Sequence, residues 1–214
     1  MPVSGGEASN DLGGFIGEDD VRQDWLQDKL EDWEDSVKAL ALVAKKYPQS
    51  AYTGLQRSLQ MKWQYVQRVT RECGDDFMAI EKAISTIFLP ALFDADIDED
   101  DLVLQLACLP VKFAGLALPA PTTSAKLNYD ASIQHTSHLT ACFRGVDTFR
   151  TADHSAVIQT NRAELRARSS FRHSSRLDAL LRQMPSAKRR IILRGKDTGT
   201  FLQVLPSVVN GTVL

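Results

Sequence analysis

From residue 21 onward, apolar residues recur at intervals of three to five: Val21, Trp25, Leu30, Trp33, Val37, Leu40 and Ala44. That spacing lays one apolar stripe along a helix and predicts a first helix over 19–46. Asp19 and Asp20 suit its positive N-terminal end, Lys45 and Lys46 suit its C-terminal end, and Pro48 stops it. The outer face is acidic: Asp24, Asp28, Glu31, Asp32, Glu34 and Asp35.

The same period continues. Tyr52, Leu55, Leu59, Trp63 and Val66 predict a second helix over 50–71. Phe77, Ile80, Ile84, Ile87 and Phe88 predict a third over 76–88, limited by Pro90. A shorter fourth helix is expected over 98–107. The string LPVKFAGLALPAP (109–121) breaks the pattern, because three prolines and Gly115 favour an extended or turning backbone. Helix resumes with Thr122–Ser124 as expected N-caps and ends at Gly145. Another helix is expected from Thr151 or Asp153 to Met184, with a kink at Ser169-Ser170. RRIILRG and FLQVLP then read as two short strands around a Lys-Asp-Thr-Gly turn.

These elements predict a mainly α protein: an irregular helical bundle with a proline-rich extended crossing and a short β-hairpin-like tail. The expected divisions are 1–18 (a Gly- and Ser-rich N-terminus), 19–108 (helical), 109–121 (the crossing), 122–184 (helical and basic) and 185–214 (short strands and tail).

Charge divides the same way. Residues 1–101 hold 21 acidic and 10 basic residues, net −11, while residues 102–214 hold 6 acidic and 15 basic, net +9. The basic half can face nucleic acid or the acidic half of its own chain. Hydrophobic residues make up 43% of the 214, enough for a sizeable core, and no apolar run approaches the ~18 residues that span a bilayer. A membrane partner is therefore not expected. Cys73, Cys108 and Cys142 lie far apart with no CxxC pair, which fits a reducing, intracellular compartment, and the first ten residues lack the charged and apolar regions of a signal peptide.

Four stretches invite a chemical reading. Gly74-Asp75-Asp76 matches a short polymerase signature, but that site needs a strand–turn–strand and a further carboxylate. Here the flanks carry helical stripes, so Gly74 reads as a helix stop and Asp75 or Asp76 as an N-cap. Asp94–Asp101 resembles the start of a calcium loop, yet its sixth and twelfth positions are Glu99 and Gln105. His135, His138 and Cys142, with His154, have zinc-ligand types in a spacing that is not a standard zinc pattern. No GxSxG elbow and no Gly-Lys-Ser/Thr phosphate loop is present. The sequence therefore predicts no catalytic residues, no metal and no cofactor.

The basic stretch is more informative. Arg162 and Arg166 are four apart, as are Arg168, Arg172 and Arg176; Arg182, Lys188, Arg189, Arg190, Arg194 and Lys196 follow. On a helix this spacing makes short guanidinium rows that can follow phosphates. Arg162, Arg166, Arg168, Arg172, Arg176, Arg189 and Arg190 are the candidate nucleic-acid contacts. The competing reading is a solvated basic face, or one docked on the acidic first helix.

Seven strings in one order add a resemblance: LGGFIG (12–17), WLQDKLEDW (25–33), YPQSAYTGLQRSLQMKWQYVQRV (47–69), FLPALF (88–93), LPVKFAGLALP (109–119), FRTADH (149–154) and LPSVVNGT (205–212). Together they resemble the region after the catalytic palm in reverse-transcriptase reading frames of non-LTR-type retroelements. LGGFIG is similar to the end of the palm, where the primer grip lies, so Gly13, Gly14, Phe15 and Gly17 are the primer-grip-like residues this implies. The helices after it would correspond to the thumb. The palm's Asp-Asp box and the fingers have no counterpart, so the resemblance implies a non-catalytic piece whose palm and fingers polypeptide is missing. It implies an RNA or DNA duplex as partner, held through its backbone. The alternative is a helical protein–protein interaction module, suggested by the Trp25/Trp33 stripe. The oligomeric state is not encoded in any of these features.

Overall fold

Helix α1 (Asp19–Ala44) turns Leu26, Leu30, Trp33, Val37, Ala41 and Ala44 into the core. The buried line is rotated from the predicted one: Val21 is exposed, and Trp25 and Leu40 pack at its margin. The computed structural model describes residues 14–15, 19–97 and 102–198, which are almost entirely helical and contain no strand.

Pro48 opens the next helix as well as following the first, since a first-turn proline loses no helical hydrogen bond. Helix α2 (Pro48–Gly54) runs through a π-helical turn (Leu55–Leu59) into α3 (Gln60–Val69). The predicted stripe Tyr52, Leu55, Leu59, Trp63 and Val66 is buried throughout. The Trp33 and Trp63 rings meet at 6.5 Å, tilted, between α1 and α3. Each such side chain contributes roughly 1.5–3 kcal/mol by leaving water.

A 3-10 turn (Asp75–Phe77) leads into α4 (Met78–Ala83), a second π-helical turn (Ile84–Phe88) and α5 (Leu89–Phe93). The helix thus passes Pro90, which was expected to end it. The π turn explains this: the Leu89 N–H already reaches back five residues to the Ile84 carbonyl, so the ladder is offset where proline would otherwise clash. The chain leaves α5 through Asp94 in the left-handed conformation. Helix α6 (Leu102–Ala107) follows.

Residues 109–120 contain no α-helix but are not an extended crossing. A 3-10 turn (Val111–Phe113) and two left-handed alanines, Ala114 and Ala117, fold the segment back on α6. The N–H groups of Leu116 and Leu118 donate to the Ala107 carbonyl, and that of Ala117 to Leu109. Gly115 permits the closure, because a Cβ there would lie 1.9 Å from the Leu109 carbonyl oxygen. The fold-back bridges two apolar clusters. Leu118 joins the main core, whereas Leu109 and Phe113 pack with Leu177, Leu180, Leu181 and Met184.

Helix α7 (Pro121–Phe143) starts one residue before the predicted caps, with no side-chain cap from its own N-terminus. Glu81 of α4 performs that role. Its carboxylate accepts from the Thr122 N–H at 3.1 Å and from the Thr122 hydroxyl, so a group 41 residues away satisfies the exposed helix donors. Helix α8 (Thr151–Gln183) runs unbroken through Ser169-Ser170. Helix α9 (Ser186–Thr198) occupies the position of the first predicted strand; RRIILRG is helical. Local β-branched content lost there to packing of Ile192 on the smaller cluster. The second predicted strand, FLQVLP, lies outside the described residues.

Candidate nucleic-acid interface

Helix α8 is anchored in an apolar cluster at its C-terminal end. Leu177, Leu180 and Leu181 pack with Leu109 and Phe113, while the earlier turns of α8 pack chiefly on α7. The distal halves of α7 and α8 therefore form a two-helix arm without a large apolar core. Asn161 of α8 donates to the Gln134 carbonyl of α7 at 2.8 Å. His138, His154 and Phe149 pack ring on ring near the tip, the two imidazoles stacked at 5.7 Å.

The predicted arginines run along α8 from this arm to its base. Arg162, Arg166, Arg168, Arg172 and Arg176 are all exposed. Among the described residues only Arg168 of these forms an ion pair, a loose 3.9 Å approach to Glu164. Residues four apart rise about 6 Å along the helix, so each row presents guanidinium groups at regular steps. The acidic face of α1 does not neutralise them: α1 packs on α2, α4 and α5, and α8 packs chiefly on α7. The basic face of α8 is therefore not docked on the acidic first helix.

Arg189 and Arg190 part company. The Arg189 guanidinium donates to the carbonyls of Leu181 at 2.9 Å and Met184 at 3.4 Å. It closes the C-terminal end of α8, where cations suit the helix dipole, and is committed to the fold. Arg190 is exposed on α9.

The primer-grip-like residues lie elsewhere. Gly13 and Gly17 are outside the described residues. Phe15 packs on Trp25 of α1, ring centroids 5.6 Å apart, and Gly14 lies against Val69 and Tyr65 of α3. Neither belongs to the arm that carries the arginines.

The remaining chemical candidates resolve into structure. At the Gly74-Asp75-Asp76 turn no aspartate caps its own helix. Asp76 instead accepts from Gln23 of α1 at 2.9 Å. Gly74 is required for close approach, since a Cβ would sit 2.9 Å from the Thr122 carbonyl oxygen. Cys142 lies 3.8 Å from His138, but no group of three or more His, Cys, Asp or Glu among the described residues is placed to hold a metal ion. Burial pushes the Cys73 thiol up to about 11, assisted by the nearby Asp76, and raises Cys108 as well. Such thiols stay protonated at neutral pH and make poor nucleophiles. No helix among the described residues is long and apolar enough to cross a membrane.

No family model, curated protein or solved structure matches this chain. Trp33 is buried in the core, and Trp25 is partly buried against it. What sequence reasoning missed is the tip of the arm. Phe143 and Val146 are 90% and 79% exposed there, beside Arg144 and Arg150. The signal in the sequence was FRGVDTFR (143–150), apolar residues in a turn with nothing periodic to bury them.

Proposed function

We propose that this chain is a non-catalytic, thumb-like piece of a retroelement reverse-transcriptase-like protein, one that holds an RNA–DNA duplex by its phosphates without reading bases. The observation that carries the reading is the exposed guanidinium series Arg162, Arg166, Arg172 and Arg176. These four have no ion-pair partner among the described residues and stand on a helix that the acidic α1 leaves uncovered. Rows of this kind supply affinity and register but no sequence information. The seven ordered strings supply the ancestry. The reading includes no polymerase activity, because no residue here matches the palm carboxylates.

Titration of an RNA–DNA hybrid by fluorescence anisotropy tests it. If four phosphates are neutralised, affinity should fall by roughly 100-fold between 50 and 200 mM salt. Absence of binding at low salt, or binding insensitive to salt, would refute the proposal.

A further inference from the structure

The arm ends in a tip whose apolar residues are largely exposed among the described residues. Helix α7 finishes at Phe143, Gly145 turns the chain with φ +71°, and α8 begins at Thr151. Phe143 and Val146 are almost fully exposed, and Phe149 is half exposed. Burying these side chains against a partner would gain up to roughly 1.5–3 kcal/mol each, so the tip offers an apolar contact surface. Phe149 is also aimed by its neighbours: its ring packs at 6.1 Å on His138 and 6.0 Å on His154.

Charge at the tip specifies the partner. Arg144 and Arg150 flank the apolar residues and are exposed. The one acid within the turn, Asp147, is turned back on the chain. It accepts from the Thr148 N–H at 2.7 Å and lies 3.7 Å from His138. Exposed aromatics beside arginines combine stacking with phosphate attraction, which is the chemistry of unpaired bases. The arginine series Arg162–Arg176 lies on the same helix. From Arg150 to Arg176 the helix rises about 39 Å, so one ligand can lie along the arginines and end at the tip.

The geometry points to a binding site for unpaired bases at the arm tip, with Phe143 and Phe149 as stacking platforms and Arg144 and Arg150 on the adjoining phosphates. The favoured ligand is then a duplex with a single-stranded extension. This inference rests on the phosphate-binding reading of α8 and adds a different class of contact to it.

The test compares a blunt RNA–DNA hybrid with the same hybrid bearing a short single-stranded tail that contains 2-aminopurine, using the full 214-residue chain. The tailed hybrid should bind about tenfold more tightly, within the range of one stacked base, and the 2-aminopurine should be quenched. Phe143→Ser should abolish the preference and the quenching while leaving the salt slope unchanged. Because Phe149 packs on the histidines, Phe149→Leu is the second variant; it keeps the packing, removes the ring face and should halve the quenching or more. Equal binding of blunt and tailed hybrids, or a preference that survives Phe143→Ser, would overturn the inference and leave the phosphate reading standing. Loss of salt-dependent binding to every hybrid would remove that reading and this one together. Co-sedimentation with phosphatidylserine vesicles that Phe143→Ser prevents would reassign the tip to an anionic membrane surface and overturn the inference.

Discussion

The side-chain amide of Gln67, fully buried in α3, donates to the backbone carbonyl of Pro121 in α7 at 2.9 Å. Its oxygen accepts from Ser124 at 3.1 Å and from Asn128 at 2.8 Å. One amide thus ties the base of the arm to the bundle with its polar atoms satisfied. Replacing it by an apolar residue leaves buried partners unpaired, and each such group costs about 1–3 kcal/mol. Gln67→Leu should therefore lower the urea midpoint, by the equivalent of about 2–4 kcal/mol, with the denaturant slope unchanged.

Gly115 sits where the fold-back of 109–120 closes. A Cβ there would meet the carbonyl oxygens of Leu109 and Leu106 at 1.9 and 2.5 Å. These are backbone atoms and cannot yield by rotating a side chain. Gly115→Ala should shift both ends of the loop and cost more than about 4 kcal/mol, at the severe end for single substitutions. Thermal unfolding followed by circular dichroism reads this directly, and a melting temperature unchanged from the parent would contradict it.

The two classes of arginine should separate experimentally. Arg172→Ala with Arg176→Ala removes two phosphate contacts and should reduce the salt slope of hybrid binding by about 2, leaving the melting temperature in place. Arg189→Ala instead uncaps the end of α8 and should cost about 1 kcal/mol of stability. Anisotropy titrations and melts on both variants give four numbers, and the opposite pattern would reverse the assignment.

His173 faces Phe113, ring centroids 5.8 Å apart, and lies 3.4 Å from the Ser169 hydroxyl. Desolvation lowers its pKa, and the charges of Arg172, Lys112 and Arg176 lower it further. The unfolded chain therefore takes up the proton first as pH falls. Stability should decline as pH drops through the unfolded value near 6.5, and level off only below the depressed native value. His173→Gln should flatten that decline. A phosphate bound at Arg172 and Arg176 offsets their charge, so adding hybrid should raise the His173 pKa in an NMR titration.

The arm should also be the most open part of the protein. Among the described residues of α7 beyond Asn128 and of α8 before Leu177, His138 is the one buried side chain. Amides on the distal arm should exchange with deuterium before those of α1 and α3, whose core residues set the global stability. Saturating hybrid should slow exchange along α8.

Several elements were legible in the residues. Tyr52, Leu55, Leu59, Trp63 and Val66 declared both a helix and its buried face, because a 3.6-residue period leaves little choice of side. The arginines at 162–176 likewise announced an exposed cationic helix. Other readings depended on neighbours that no local window contains. Whether Pro90 ends a helix turned on the π turn before it, and whether Asp76 caps a helix or binds Gln23 turned on where α1 passes. RRIILRG has strand-like composition, yet it became helix beside the cluster formed by Leu177 and Leu181.

The sequence by itself determined the helical class, the segregation of charge and the inward face of the second helix, since these follow from periodicity and composition. Tertiary structure alone decided which charges remain unpaired and which polar groups close the helices. Arg189 and Arg172 belong to the same basic run, and only packing distinguishes them. One guanidinium meets the carbonyls at the end of α8; the other meets none and stays in solvent. Hydrogen-bond partners are a property of distance in space, and for Glu81 and Thr122 that distance spans 41 residues of chain.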